Sequence, residues 1–202
     1  MILKNNRTLG GVGALLIFIA PLTLFAPGIE SIAIILFPTG VILVMLGLRG
    51  FAECSGESGI FKNVVYALLA AIIGAAVVAS IILFAIAGLF NASGLNISSL
   101  QAWMALRTFN WQSVDTAVLL AFGAETMIGL AALSASVLVA TVFFRRSLYF
   151  LSAKSGIELF QTTGTLLLAG AILTIMLIGL ILIWVAMLLL AVAFFSARTN
   201  PS

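Results

Sequence analysis

From Phe160 to Ala197 the chain reads FQTTGTLLLAGAILTIMLIGLILIWVAMLLLAVAFFSA, and the next charge is Arg198. A stretch so long and so apolar has no fold of its own in water, and the way it crosses a bilayer decides the topology of everything before it. One helix over 155–197 would extend about 65 Å, roughly twice the ~30 Å hydrocarbon core. Fitting it would need a tilt beyond the usual range of about 40° or a long apolar protrusion into water. Dividing it near Leu177-Ile178-Gly179 gives two segments of about 20 residues, which is the spanning length. Gly179 is the expected turn residue, since glycine reaches the left-handed backbone region without a steric penalty.

Composition removes the soluble alternatives. Charged residues make up 7% of the 202 and hydrophobic ones 63%, with a mean hydropathy of +1.32. A water-soluble domain carries about 25% charged residues to cover its surface. The expectation is an all-α, polytopic transmembrane bundle in one membrane domain, 1–202, placed in the cell membrane with the lipid bilayer as its principal partner. The net charge of +3 does not point to nucleic acid. The cations sit in short clusters between apolar runs, where a topology signal belongs. With no histidine and a single cysteine, Cys54, an internal disulfide, a His/Cys metal site and a histidine-based triad are excluded within one chain. No metal or cofactor is expected.

Six spans follow, at about 9–26, 29–48, 61–90, 117–144, 156–176 and 179–197, each near or above the length of a crossing. The first follows the basic start MILKNNR but is longer than a signal-peptide core and lacks a small-residue cleavage site, so it is read as a retained helix. Its Gly10, Gly11 and Gly13 permit close approach of a neighbour. Pro27-Gly28 ends it. The second run holds Pro38, which lacks a backbone donor and marks a helix kink. Residues 49–62 read as a polar loop carrying Arg49, Glu53, Glu57 and Lys62, with Cys54 an unreactive thiol for want of a neighbouring base. The third run bears the small-residue pairs Ala70/Gly74 and Ala75/Ala79, pointing to a central helix or an oligomer interface.

Residues 91–116 form the long outward loop. Asn91-Ala92-Ser93 and Asn96-Ile97-Ser98 are candidate N-glycosylation sites. Trp103, Phe109 and Trp111 suit the membrane–water interface, with a short surface helix around Leu100–Leu106. The fourth run contains Glu125, the one charged residue away from the ends of a predicted span and hence the candidate ion or proton site. Residues 145–158 read as a second basic loop, and Ser155-Gly156-Ile157-Glu158 fits the capping box that opens a helix. Gly13-Ala-Leu-Leu and Gly170-Ala-Ile-Leu, with Gly40-Val-Ile-Leu and Gly179-Leu-Ile-Leu, form a weak internal echo.

With six spans and both termini in the cytoplasm, Lys4, Arg7, Arg49, Lys62, Arg145, Arg146, Lys154 and Arg198 lie inside, against Arg107 outside. Five spans, the alternative, would move Arg198 out and still obey the positive-inside rule, so length decides for six.

The segments Arg7-Thr-Leu-Gly-Gly-Val-Gly-Ala-Leu-Leu, Ile60-Phe-Lys-Asn63, Phe160 with Gly164, Gly170-Ala-Ile-Leu-Thr and Ala193-Phe-Phe-Ser resemble the archaeal membrane-protein family designated domain of unknown function 996. The resemblance covers most of the chain outside 91–116. It implies an archaeal plasma-membrane location and supplies no activity, cofactor or catalytic residue.

Taken together these features favour a non-enzymatic structural or accessory membrane component, with a homo-oligomer or another membrane protein as partner. The alternative is a small oligomeric transporter or channel using Glu125 and the Pro38 kink. An enzyme is disfavoured because no phosphate loop, metal-ligand cluster or nucleophile–base set is legible. A cysteine placed at the C-terminus should be labelled from the cytoplasmic side. Labelling from outside alone would mean five crossings.

Overall fold

The apolar block is divided where bilayer thickness requires. A computed structural model describes residues 2–23, 25, 28, 30–92, 115–176 and 178–197. Among them the chain forms six α-helices: α1 (Ile2–Thr23), α2 (Ala33–Ser55), α3 (Ser58–Ala92), α4 (Thr116–Ser155), α5 (Glu158–Leu173) and α6 (Ile178–Ser196). Short 3-10 turns occupy Glu30–Ile32 and Thr174–Met176. Five of the six are long and apolar enough to cross a membrane, and α5, with 16 residues, is the shorter one. With its 3-10 turn, α5 rises about 30 Å, one hydrocarbon thickness.

The helices outrun the apolar segments. The first, expected at 9–26, runs from Ile2 to Thr23, and Gly28 beyond it has φ +90. The supposed loops at 49–62 and 145–158 are mostly helix, because α2 continues to Ser55 and α4 to Ser155. Arginine, lysine and glutamate are good helix formers, so loss of apolarity marks where a helix can leave hydrocarbon and not where it stops. Arg49 and Glu53, four residues apart, form an ion pair of 2.8 Å along the extension of α2.

Glycine ends these extensions. Gly56 has φ 68 and Gly156 φ 69, the left-handed C-terminal stop. Gly156 donates its N–H to the Ser152 carbonyl at 2.9 Å, and Glu57 donates its own to that of Ala52 at 3.2 Å. The capping box at Ser155 therefore does not form. Ser155 is the last residue of α4, its hydroxyl has no partner, and the residue before α5 is Ile157, without a side-chain cap. The same four residues encode a helix stop and a helix start, and the glycine stop prevails.

The chain divides into two compact units. The first comprises Met1–Ala70 and Val137–Ser202. In it α1 lies antiparallel against α2 along a glycine seam. A Cβ built on Gly13 would lie 2.7 Å from the Gly40 carbonyl oxygen, and one on Gly47 2.7 Å from Gly10 Cα. A second seam joins α5 to α6, where a Cβ on Gly170 would stand 2.9 Å from the Gly179 oxygen. Gly179 is thus a close-approach residue inside α6 and not the turn, which falls at Thr174–Met176, with Leu177 outside the described residues. Without a hydrophobic drive between helices in lipid, such backbone contact is what holds them together.

Near the two Ser-Gly turns the first unit has a closed core. Leu48, Ile60, Leu148, Phe160, Leu190 and Phe194 are fully buried. Phe160 meets Phe194 edge-on at 5.3 Å, and Phe51 lies 6.0 Å from Phe194. The buried Ser147 Oγ donates to the Ile60 carbonyl at 2.8 Å, fixing the register of α4 against α3.

The second unit, Ala71–Ser136, is an antiparallel pair made from the end of α3 and the beginning of α4. Gly74 packs under Ser136, and Gly129 faces Ile81. Ala75 and Ala79 are exposed. Among the described residues the apolar stretch of α3 is mostly exposed, so of the two expectations for its small residues, a central helix or an oligomer interface, the central helix is not met.

Glycine contacts separate two outcomes. Gly179→Ala should lower stability by about 1–3 kcal/mol, because the new methyl meets backbone atoms that cannot yield. Gly88 has nothing within 4 Å, so Gly88→Ala should be neutral or raise stability by up to about 1 kcal/mol through helix propensity. Thermal unfolding in detergent, followed by circular dichroism, measures both.

Candidate functional site

The second unit contains a cleft of about 280 Å³, bounded by Ala85, Gly88 and Ala92 of α3 and by Ala117, Ala121, Phe122 and Glu125 of α4. It exists because the facing side chains are small. Asp115 opens α4: its carboxylate accepts the Ala117 N–H at 3.2 Å and its carbonyl those of Val118 and Leu119. An acid at this end also complements the helix dipole. Nearly three turns on, Glu125 reaches the cleft, partly exposed.

Glu125 and Arg145 belong to one uninterrupted helix. Glu125 lies in the first third of that helix. Its neighbours in the cleft are apolar. The Thr126 hydroxyl beside it donates to the Phe122 carbonyl at 2.8 Å. Among the described residues no group of three or more His, Cys, Asp or Glu side chains is placed to hold a metal. One carboxylate in an apolar cleft can carry a proton or provide a single ligand to a cation.

Pro38 belongs to the first unit and Glu125 to the second. Pro38 lies in the second turn of α2, which continues on both sides of it. Its ring is exposed, whereas Gly40 faces Gly13 across the seam. Proline has no amide to give the Ile34 carbonyl, and the Thr39 hydroxyl donates to that of Ile35 at 2.7 Å. Cys54 is exposed near the end of α2. Asn91 is exposed at the end of α3, while Ser93, Asn96, Leu100–Leu106, Trp103, Arg107, Phe109, Trp111 and Arg198 lie outside the described residues.

Several residues that pattern reading passes over hold the first unit together. Trp184 of α6 donates its indole N–H to the Phe18 carbonyl at 2.7 Å, its ring stacked 4.6 Å from the Phe18 ring. Arg7 donates to the Ala197 carbonyl at 3.1 Å, tying the start of α1 to the end of α6. Asn6 fills the space above Gly50 and is buried, its amide nitrogen without a partner. The glycines of α2 that face α1 were a usable signal, since Gly40 and Gly47 recur at two-turn spacing. A single tryptophan or asparagine in a helix has no pattern to betray its partner.

Sequence comparison places this architecture. A family model described as a protein of unknown function, DUF996, matches residues 36–188. The chain belongs to the DUF996 family. The match runs from early α2 into the middle of α6 and takes in both Ser-Gly turns and the cleft residues. Uncharacterized protein MJ1644 of Methanocaldococcus jannaschii is 25% identical over 196 residues, covering 97% of this chain and 93% of that one. No solved structure matches. The DUF996 helices thus carry a family assignment without an activity attached to it.

Trp184→Phe keeps the stacked ring and removes the donor to Phe18. It should cost about 1 kcal/mol in an equilibrium unfolding measurement, the usual net value of one such bond.

Proposed function

We propose that this DUF996 protein is a multi-pass cell-membrane protein acting as a non-enzymatic structural or accessory component, with both termini in the cytoplasm. The observation that carries the reading is where the polar side chains of the apolar helices direct their donors. Thr39, Ser80, Thr126, Ser134, Ser136, Thr163 and Thr174 all donate to a carbonyl four residues back on their own helix. Hydroxyls whose donors are turned back on their own helix support a packing role over a hydrated path or a reactive group. They leave helix surfaces whose chemistry is packing, in contact with lipid or with another membrane helix. Large apolar side chains such as Phe84, Leu120 and Met127 are broadly exposed in the second unit, as a lipid- or helix-facing surface requires.

A second reading, a small oligomeric transporter or channel, is favoured by Glu125 at its cleft. Sparse polar residues within one chain mean that the path would form between copies.

One experiment separates the two. The protein is purified in mild detergent, its stoichiometry with co-purifying membrane proteins is measured, and it is reconstituted for ion- and proton-flux assays. The structural reading expects no flux, and it expects Glu125→Gln to leave both stability and association unchanged. Flux in liposomes that Glu125→Gln abolishes would replace that reading with transport.

A further inference from the structure

The Ser147–Ile60 hydrogen bond has an effect beyond stability. α3 and α4 run antiparallel, and Lys62 lies two residues from Ile60 in the direction in which Arg145 lies two residues from Ser147. Both cations therefore stand about 3 Å along from the bond on the same side, at one height. Arg146 is one residue nearer. Arg49 of α2 joins the same level, its guanidinium 5.9 Å from the ring of Phe61. One turn further along, Tyr66 of α3 meets Phe143 of α4 at 5.7 Å, with the tyrosine exposed. Cations followed by a tyrosine toward the apolar segment reproduce the order of a headgroup boundary, phosphate level first and ester level next.

The charge at this level is not neutralised from within. The Glu53 carboxylate is paired with Arg49, and that of Glu57 accepts the Gly59 N–H at 3.4 Å. Among the described residues no acid lies within ion-pair distance of Lys62, Arg145 or Arg146, and all three are exposed. Arg145 is also held in place. Its Cγ would stand 3.1 Å from a Cβ on Gly164 of α5, so its stem packs against α5 at that glycine.

We propose that Lys62, Arg145 and Arg146, with Arg49 beside them, form a docking surface for the phosphate groups of anionic lipids in the leaflet on the Ser-Gly turn side. The proposal rests on the membrane reading above. The neutral alternative is a solvated basic end that meets every headgroup alike.

The test uses full-length protein in vesicles of equal parts phosphatidylglycerol and phosphatidylcholine. After re-extraction in mild detergent, retained lipids are counted by native mass spectrometry. Wild type should retain phosphatidylglycerol at least about fivefold over the vesicle ratio, the effect of one cation near a charged surface. The K62Q/R145Q/R146Q variant should retain the two at the vesicle ratio, while R145K/R146K keeps most of the enrichment. Wild type at the vesicle ratio, or a folded triple variant that keeps full enrichment, overturns the proposal. If the triple variant fails to fold, wild type extracted in high salt gives the readout. Enrichment lost with salt supports headgroup pairing, and enrichment unchanged by salt overturns it. Protein that does not float with the vesicles would overturn the membrane reading itself, a result distinct from insertion without lipid preference.

Discussion

Backbone-to-backbone contact is the interaction on which the first unit depends. In water, two apolar helices associate because water is released. In hydrocarbon that gain is absent, and association depends on how closely the helices approach. Gly13 against Gly40, Gly10 against Gly47 and Gly170 against Gly179 bring main chains together where any side chain would hold them apart. Gly10 and Gly11 also leave room for the Phe194 and Phe195 rings of α6. With α1 and α6 this near, Trp184 reaches the Phe18 carbonyl and Arg7 the Ala197 carbonyl.

The second unit follows another rule. Among the described residues its helices pack Gly74 against Ser136 and Gly129 against Ile81; Ala85, Leu89 and Phe90 are buried, and large side chains such as Phe84 and Leu120 are exposed. A small proportion buried is no defect when the surroundings are apolar. In lipid an exposed Phe84 or Leu120 costs nothing, and a cleft floored by alanine and glycine remains where no large side chain fills it.

Much of this was legible in the sequence, because bilayer thickness is a length and apolar runs can be counted. The division of the C-terminal block was predicted within a few residues, although Gly179 proved to be a seam residue and the turn lies just before it. Helix ends were less legible. Hydropathy reports the solvent a segment prefers, whereas a helix ends where its backbone is stopped, here at Gly56 and Gly156. The serine–glutamate spacing at Ser155 read as a start because the competing stop shares its residues. Glu125 was found as the lone acid of a span, but its cleft required α3, whose contribution is Ala85, Gly88, Leu89 and Ala92, with no signature. The level shared by Lys62 and Arg145 was hidden for a similar reason, since register between distant helices is written in one serine.

The two Ser-Gly turns also bear on how such a chain enters a membrane. Between α2 and α3 only Gly56 and Glu57 separate helical residues, and between α4 and α5 only Gly156 and Ile157. A connection this short has no slack, so neither member of a pair can reverse its direction while the other stays. Each pair inserts, or fails to insert, as one hairpin, and its orientation is settled once for two helices. A misplaced hairpin could right itself only by drawing its charged end through hydrocarbon. The first unit is then assembled from preformed pairs, with α1 and α6 joining them through glycine seams that can form only after both partners are in place.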